Sequence, residues 1–96
     1  MTNLIDVLRD MNHPRLQEYI DCVAETERIV TGIDEVSEQA GQLEQLATLN
    51  IQHIHRMNEL EERFKELKQQ FWLAYSKQLD VRTHLVFCLR RAGYRL

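Results

Sequence analysis

The fold is decided by residues 59–92, which read ELEERFKELKQQFWLAYSKQLDVRTHLVFCLRRA. Apolar side chains recur there every three or four residues, which is the spacing of one face of an α-helix. Charges of opposite sign stand four residues apart, as in Glu61 and Lys65, in the order that stabilises a helix. No proline follows Pro14, so most of the chain is predicted to be helical.

The composition excludes a β-rich fold. One proline and three glycines in 96 residues are too few for the turns that connect many short strands. Leu, Glu, Gln, Arg and Ala, which dominate the chain, are good helix formers. The predicted fold class is therefore all-α, with a short N-terminal helix followed by long amphipathic helices that form a coiled coil or a helical hairpin.

Residues 1–13 are predicted to form a short helix and a break. The helix is expected over about residues 3–11 with Thr2 as its N-cap, and Pro14 suits the first position of the next helix. The apolar face of the short helix consists of Leu4, Ile5, Leu8 and Met11. So few residues do not form a stable isolated helix, and the segment must dock on something or fray.

Residues 14–96 are predicted to be a long helical region, and two positions for a turn compete. The apolar stripe takes an extra three-residue step beside Gly32, where residues 31–34 resemble a helix end followed by a new N-cap. In the alternative, the chain folds back near residues 48–50, which contain neither glycine nor proline. The first layout is preferred, and its helices span about residues 14–31 and 34–92.

Two further positions are singled out by their residue type. Asn50 falls on the stripe, where a single buried asparagine fixes the register of a coiled coil; the alternative is a solvated break between helices. Gly93 follows Arg90 and Arg91, whose positive charges suit the last turn of a helix. We expect Gly93 to end the last helix.

Charge divides the chain into two halves. Residues 1–50 hold ten acidic and three basic residues, a net charge of −7, whereas residues 51–96 hold nine basic and five acidic residues, a net charge of +4. This asymmetry favours antiparallel packing, in a hairpin or between chains. The acidic half also opposes the binding of nucleic acid to a C-terminal group of arginines. Those arginines are Arg82, Arg90, Arg91 and Arg95.

The residues that could carry chemistry are few and separated. His53 and His55 point in nearly opposite directions on a helix, whereas zinc-binding histidines on a helix stand four apart. Cys88 follows His84 by one turn, but burial among its apolar neighbours would suppress the thiolate. We expect a protein that is not an enzyme and has no metal, cofactor or small-molecule substrate.

The sequence also suggests where the protein resides. Cys22 and Cys88 are the two cysteines, too few for a disulfide framework. The first ten residues lack the basic and apolar regions of a secretory signal, and no stretch has the ~18 apolar residues of a membrane span. The expectation is a soluble, cytoplasmic protein with reduced thiols and no membrane span.

The run Phe71-Trp72-Leu73-Ala74-Tyr75 points most directly to function. A two-helix seam needs about two apolar positions in seven, so five in succession must be covered on several sides, by a bundle or by a partner. A partner is preferred, because aromatic side chains dominate interface energies. The residues predicted to contact it are Leu60, Phe64, Leu67, Phe71, Trp72, Val81 and Leu85.

The predicted function is a non-enzymatic helical adaptor or scaffold subunit that joins other helical subunits through coiled-coil contacts. A hetero-oligomer is preferred, and a homodimer is the alternative assembly. The alternative is a small secretion-type chaperone or anti-regulator that shields the amphipathic helix of a client. A nucleic-acid-binding helical protein is the least favoured hypothesis.

Overall fold

A computed structural model describes residues 3–46 and 50–95. Within these ranges the chain forms three α-helices and no strand, and the two long helices pack against each other as a helical hairpin. The all-α prediction is confirmed, and of its two alternatives the structure supports the hairpin. The helices are α1 (Leu4–Asp10), α2 (Leu16–Glu44) and α3 (Ile51–Arg91).

Helix α1 begins where a side chain caps its first turn. Asn3 is extended, with φ −75° and ψ 135°, and its Oδ1 accepts a hydrogen bond from the backbone N–H of Ile5 at 2.9 Å. This bond satisfies a donor that the helix itself leaves unpaired. Thr2, the predicted cap, lies outside the described residues. The helix ends before Asn12, whose φ of +51° is a left-handed conformation that asparagine tolerates, so the break before Pro14 is confirmed.

Helix α2 runs through Gly32 without a break, so the preferred layout, with two helices meeting there, is wrong. A Cβ atom built on Gly32 would lie 3.4 Å from Cδ2 of Leu67. That distance is ordinary contact, so Gly32 is an internal residue of α2 beside Leu67 of α3 and does not end the helix. The chain turns instead between Glu44 and Ile51. This is the alternative layout, although residues 47–49 lie outside the described residues.

Helix α3 begins with a reciprocal cap. Oδ1 of Asn50 accepts a hydrogen bond from the backbone N–H of His53 at 3.0 Å, and Nδ1 of His53 accepts one from the N–H of Asn50 at 3.4 Å. The arrangement is that of a capping box, with histidine in place of the usual acidic or amide residue. Because Asn50 is exposed, it marks a solvated break between helices and is not a buried register residue.

Helix α3 ends at a glycine, as predicted. Gly93 has a φ of +98°, which glycine adopts without steric cost. The N–H of Tyr94 donates to the C=O of Leu89 at 3.0 Å, and the N–H of Gly93 donates to the C=O of Arg90 at 3.1 Å. These two bonds form a Schellman motif, which satisfies carbonyl groups that the last turn leaves without a helical partner.

The chain divides into two compact units, each of which contains part of both long helices. The first unit comprises Met1–Thr26 and Ala74–Leu96, and the second comprises Glu27–Leu73. In the first unit α1 docks on the long helices, as its shortness requires, and Leu8 of α1 is 0% exposed. The buried core of this unit consists of Leu4, Val7, Leu8, Tyr19, Cys22, Val81, Leu85 and Leu89.

The core of the second unit is formed by α2 and α3 alone in its described part. The guanidinium Nη2 of Arg56 donates to Oε1 of Gln39 at 3.1 Å, which joins the two helices through their side chains. Two helices can cover each other on one side only, so other faces of this unit remain open to solvent. The buried apolar residues here are Ile29, Val36, Leu60 and Leu67.

Candidate protein-binding surfaces

The structure divides the seven residues predicted to contact a partner into two groups. Four are buried in the cores of the chain itself: Leu60, Leu67, Val81 and Leu85. Because these four already pack inside the chain, a partner would reach them only if the hairpin opened. Contact with a partner stays a prediction for all seven. The three that retain solvent-exposed surface are Phe64, Phe71 and Trp72.

The aromatic run places two large apolar side chains on the outside of α3. Trp72 is 56% exposed and Leu73 is 75% exposed, and we call this pair the Trp72 surface. Phe71 is half-buried, and its ring centroid lies 5.5 Å from that of Trp72 with the planes at 66°. This edge-to-face contact helps to hold the indole ring in position. The surface is therefore a preformed apolar projection on the second unit.

A second apolar feature is an opening between α2 and α3 within the second unit. Its volume is about 280 Å³, and most of the side chains around it are apolar. Val36 and Leu60 are buried there, whereas Phe64 is 37% exposed. We call this opening the second-unit groove. Its lining residues are Val36, Ser37, Ala40, Met57, Leu60, Glu61 and Phe64.

Small side chains on α2 leave the groove open. Ser37 and Ala40 line it from α2, whereas the larger Met57 and Phe64 line it from α3. These small α2 side chains therefore leave an apolar groove that is open to solvent.

The second unit is acidic. Residues 27–73 hold nine acidic and five basic residues, a net charge of −4. Glu61 is the one charged residue among the described residues that line the groove. It lies 3.5 Å from the ammonium group of Lys65, which also pairs with Glu62 at 3.6 Å. These groups are well exposed, so the pairs add little to stability and leave the carboxylates accessible.

The first unit contains an exposed ion pair that shifts two pKa values. The guanidinium of Arg15 donates to both carboxylate oxygens of Glu18, at 2.8 Å and 2.9 Å. These hydrogen bonds lower the pKa of Glu18 and raise the pKa of Arg15, because each group stabilises the charged form of the other. Both are open to solvent, so the pair is a local feature of the α2 N-terminus.

The two cysteines, both free thiols, lie in different environments. Cys22 is buried and Cys88 is exposed, so the predicted burial of Cys88 is wrong. Leu85 and Leu89 occupy the inward face of α3 and leave Cys88 on the solvent side, where its Sγ lies 3.6 Å from Nε2 of His84. Within residues 3–46 and 50–95, no three His, Cys, Asp or Glu side chains gather as metal ligands would.

Sequence reasoning missed the α2 side of the groove. Val36 and Ala40 belong to the apolar stripe, but a turn at Gly32 would place them on the same helix as Leu60. Two residues so far apart along one helix cannot face each other. Once the turn follows Glu44, the stripes of α2 and α3 oppose each other and the groove residues meet. The groove could not be predicted because the turn had been placed at the wrong position in the sequence.

Comparisons of the chain with protein-family models, with curated proteins and with solved structures find no match. None of the helices in the described ranges combines the length and the apolar character needed to cross a bilayer.

Proposed function

We propose that this chain is a non-enzymatic helical adaptor or scaffold subunit that assembles with other helical proteins through its second unit. The observation that carries the proposal is the exposure of Trp72 and Leu73, at 56% and 75%. Scattered exposed apolar residues are ordinary on a monomer. Trp72, whose ring contacts the half-buried Phe71, is instead an aromatic side chain of the kind that dominates interface energies, and Leu73 adds exposed apolar area next to it in the sequence.

The packing of the hairpin supports this proposal. Leu60 and Leu67 already give the second unit a buried core, at 4% and 2% exposure, so the Trp72 surface is not needed to hold α2 and α3 together. The net charge of −4 on this unit disfavours the pairing of two identical copies through the same face. A different protein is therefore the preferred partner, and the assembly is a hetero-oligomer.

The test uses the full chain and its native partner. Proteins that co-purify with the tagged chain from native extract are identified by mass spectrometry, expressed, and mixed with the purified chain in a calorimeter. The double substitution Trp72→Ala with Leu73→Ala is expected to weaken binding by at least about 100-fold, because each interface anchor contributes about 2 kcal/mol. Helicity by circular dichroism should not change, since both side chains are exposed.

The matched control is Gln69→Ala with Gln70→Ala. Both glutamines are exposed on α3, about one turn before the Trp72 surface, and lack the apolar area of an anchor. Their replacement should leave the affinity unchanged. Equal affinity of the Trp72/Leu73 variant and the wild type would refute the proposal, as would a chain that sediments as a lone monomer in native extract. A free homodimer that releases its client would favour the chaperone alternative.

A further inference from the structure

The length and apolar lining of the second-unit groove suit the side chains of a docked helix. Its volume of about 280 Å³ is close to the lower end of the range of roughly 300–1,000 Å³ that is typical of small-molecule pockets. Its α3 wall runs from Met57 to Phe64, which corresponds to about 10 Å of helix. That length equals the distance between positions i and i+7 of a bound helix, the usual span of helix-in-groove anchors.

The first unit shows that α2 and α3 accept a third helix. Leu4, Val7 and Leu8 of α1 stand at i, i+3 and i+4 and are 8%, 6% and 0% exposed. They share a core with residues of both long helices, such as Tyr19 and Leu85. In the second unit, none of the described residues covers the groove in this way. The groove therefore has the apolar lining on which a third helix could pack, but no helix of the described residues packs there.

The charge of the second unit indicates which helix would fit. The groove has Glu61 at its lining and no Lys or Arg among its described lining residues, and the unit as a whole carries −4. Lysine or arginine on an incoming helix would complement this surface, whereas acidic residues would be repelled. A second copy is disfavoured as the occupant, because its α2 carries eight acidic residues and one basic residue. Its more basic helix α3 already buries apolar residues such as Leu60 and Leu67 within its own hairpin.

We propose that the second-unit groove binds one basic amphipathic helix of another protein. Leucine-sized side chains of that helix at i, i+3 or i+4, and i+7 enter the space beside Ala40 and Met57, and its flanking Lys or Arg residues face Glu61. The inference rests on the proposed function, because both require a partner chain for the second unit. It adds a second contact, separate from the Trp72 surface, and the chemistry that the contact recognises.

The test measures fluorescence anisotropy with two labelled synthetic peptides of about 18 residues, long enough to form several helical turns. Both carry the same leucine pattern, and the flanking positions are lysine in one peptide and glutamate in the other. The full-length chain is expected to bind the basic peptide at least about tenfold more tightly at ~150 mM salt, a preference that higher salt reduces. Equal affinity for the two peptides, or binding of neither, would overturn the proposal.

Two substitutions with the same charge change locate the site. Glu61→Lys should reduce the preference for the basic peptide by about fivefold or more, because it reverses the charge at the groove. Glu62→Lys is the matched control, since Glu62 shares the ion-pair partner Lys65 but does not line the groove. Its effect should stay within about twofold. Equal effects of the two substitutions would show only a general attraction to an acidic surface and would overturn the assignment.

Two further measurements separate this inference from the proposed function. Ala40→Phe fills the groove from α2 and should weaken binding of the basic peptide by about tenfold, whereas Trp72→Ala with Leu73→Ala should leave that binding unchanged. If Ala40→Phe folds and binds the peptide normally, the groove is not the site, even where the Trp72 surface remains essential for the native complex. If sedimentation shows a homodimer that the peptide dissociates, a second copy is the occupant and the proposal fails.

Discussion

Replacing Gly32 by alanine separates the two possible roles of this glycine. At a helix end with a positive φ, an alanine would be strained and would destabilise the protein by about 1 kcal/mol or more. Inside α2, where the structure places it, alanine gains about 1 kcal/mol of helix propensity. Its methyl group would lie 3.4 Å and 3.5 Å from the two Cδ atoms of Leu67, which is ordinary contact with a flexible side chain. We therefore expect Gly32→Ala to raise the free energy of unfolding by about 1 kcal/mol.

The assay is urea or thermal denaturation of the purified chain followed by circular dichroism. A gain of about 1 kcal/mol corresponds to a rise in Tm of about 4–8 °C for a domain of this size. Gly93→Ala is the matched control, because Gly93 has a φ of +98°; this substitution should lower stability by about 1 kcal/mol. A Gly32→Ala variant that loses both helicity and stability would show that α2 is interrupted there, and the hairpin described above would then be incorrect.

Three further predictions follow from the packing and the charges. Leu8→Ala should lower the free energy of unfolding by about 2–5 kcal/mol in urea denaturation, because Leu8 is fully buried; a loss below about 1 kcal/mol would mean that α1 does not belong to the core. Gln78→Leu should raise stability by about 1 kcal/mol, since Oε1 of Gln78 is buried without a hydrogen-bond partner among the described residues; a lower Tm would contradict this. The pKa of Glu18 is lowered by its hydrogen bonds from Arg15, so the stability it contributes is present above its ordinary pKa of 4.5 and disappears as the pH falls through the folded value. The difference in Tm between wild type and Glu18→Gln should accordingly shrink on acidification, and a difference that grows would refute this assignment.

The helical elements could be predicted because their signals are local. The three-to-four periodicity of residues 59–92, the break before Pro14 and the cap at Gly93 each depend on neighbours in the chain. The turn could not be placed with the same certainty. A glycine that ends a helix and a glycine inside a helix look identical in sequence, and only the packing of α2 along α3 distinguishes them. A local signal was present at the true turn, since Asn50 is a strong N-cap residue.

The candidate surfaces could be predicted only in part, because exposure depends on tertiary packing. The five-residue aromatic run predicts apolar surface beyond a two-helix seam, and the structure leaves Trp72 and Leu73 of this run exposed. Val81 and Leu85 carry the same kind of signal, yet they are buried with α1 in the first unit. Nothing in the periodicity of α3 tells which of its apolar stretches the short helix will cover, since that choice depends on the docking position of α1.

The difference between the two units follows from the number of helices in each. An α-helix that is apolar on several sides needs neighbours on several sides. In the first unit α1 supplies a third helix, and eight buried apolar residues form one core. In the second unit the described chain supplies only two helices, so residues with the same character, such as Phe64 and Trp72, keep large exposed areas. Exposed apolar side chains are not confined to this unit, since Phe87 of the first unit is 59% exposed. What distinguishes the second unit is its groove, which none of the described residues covers. We propose that a helix of another molecule covers it.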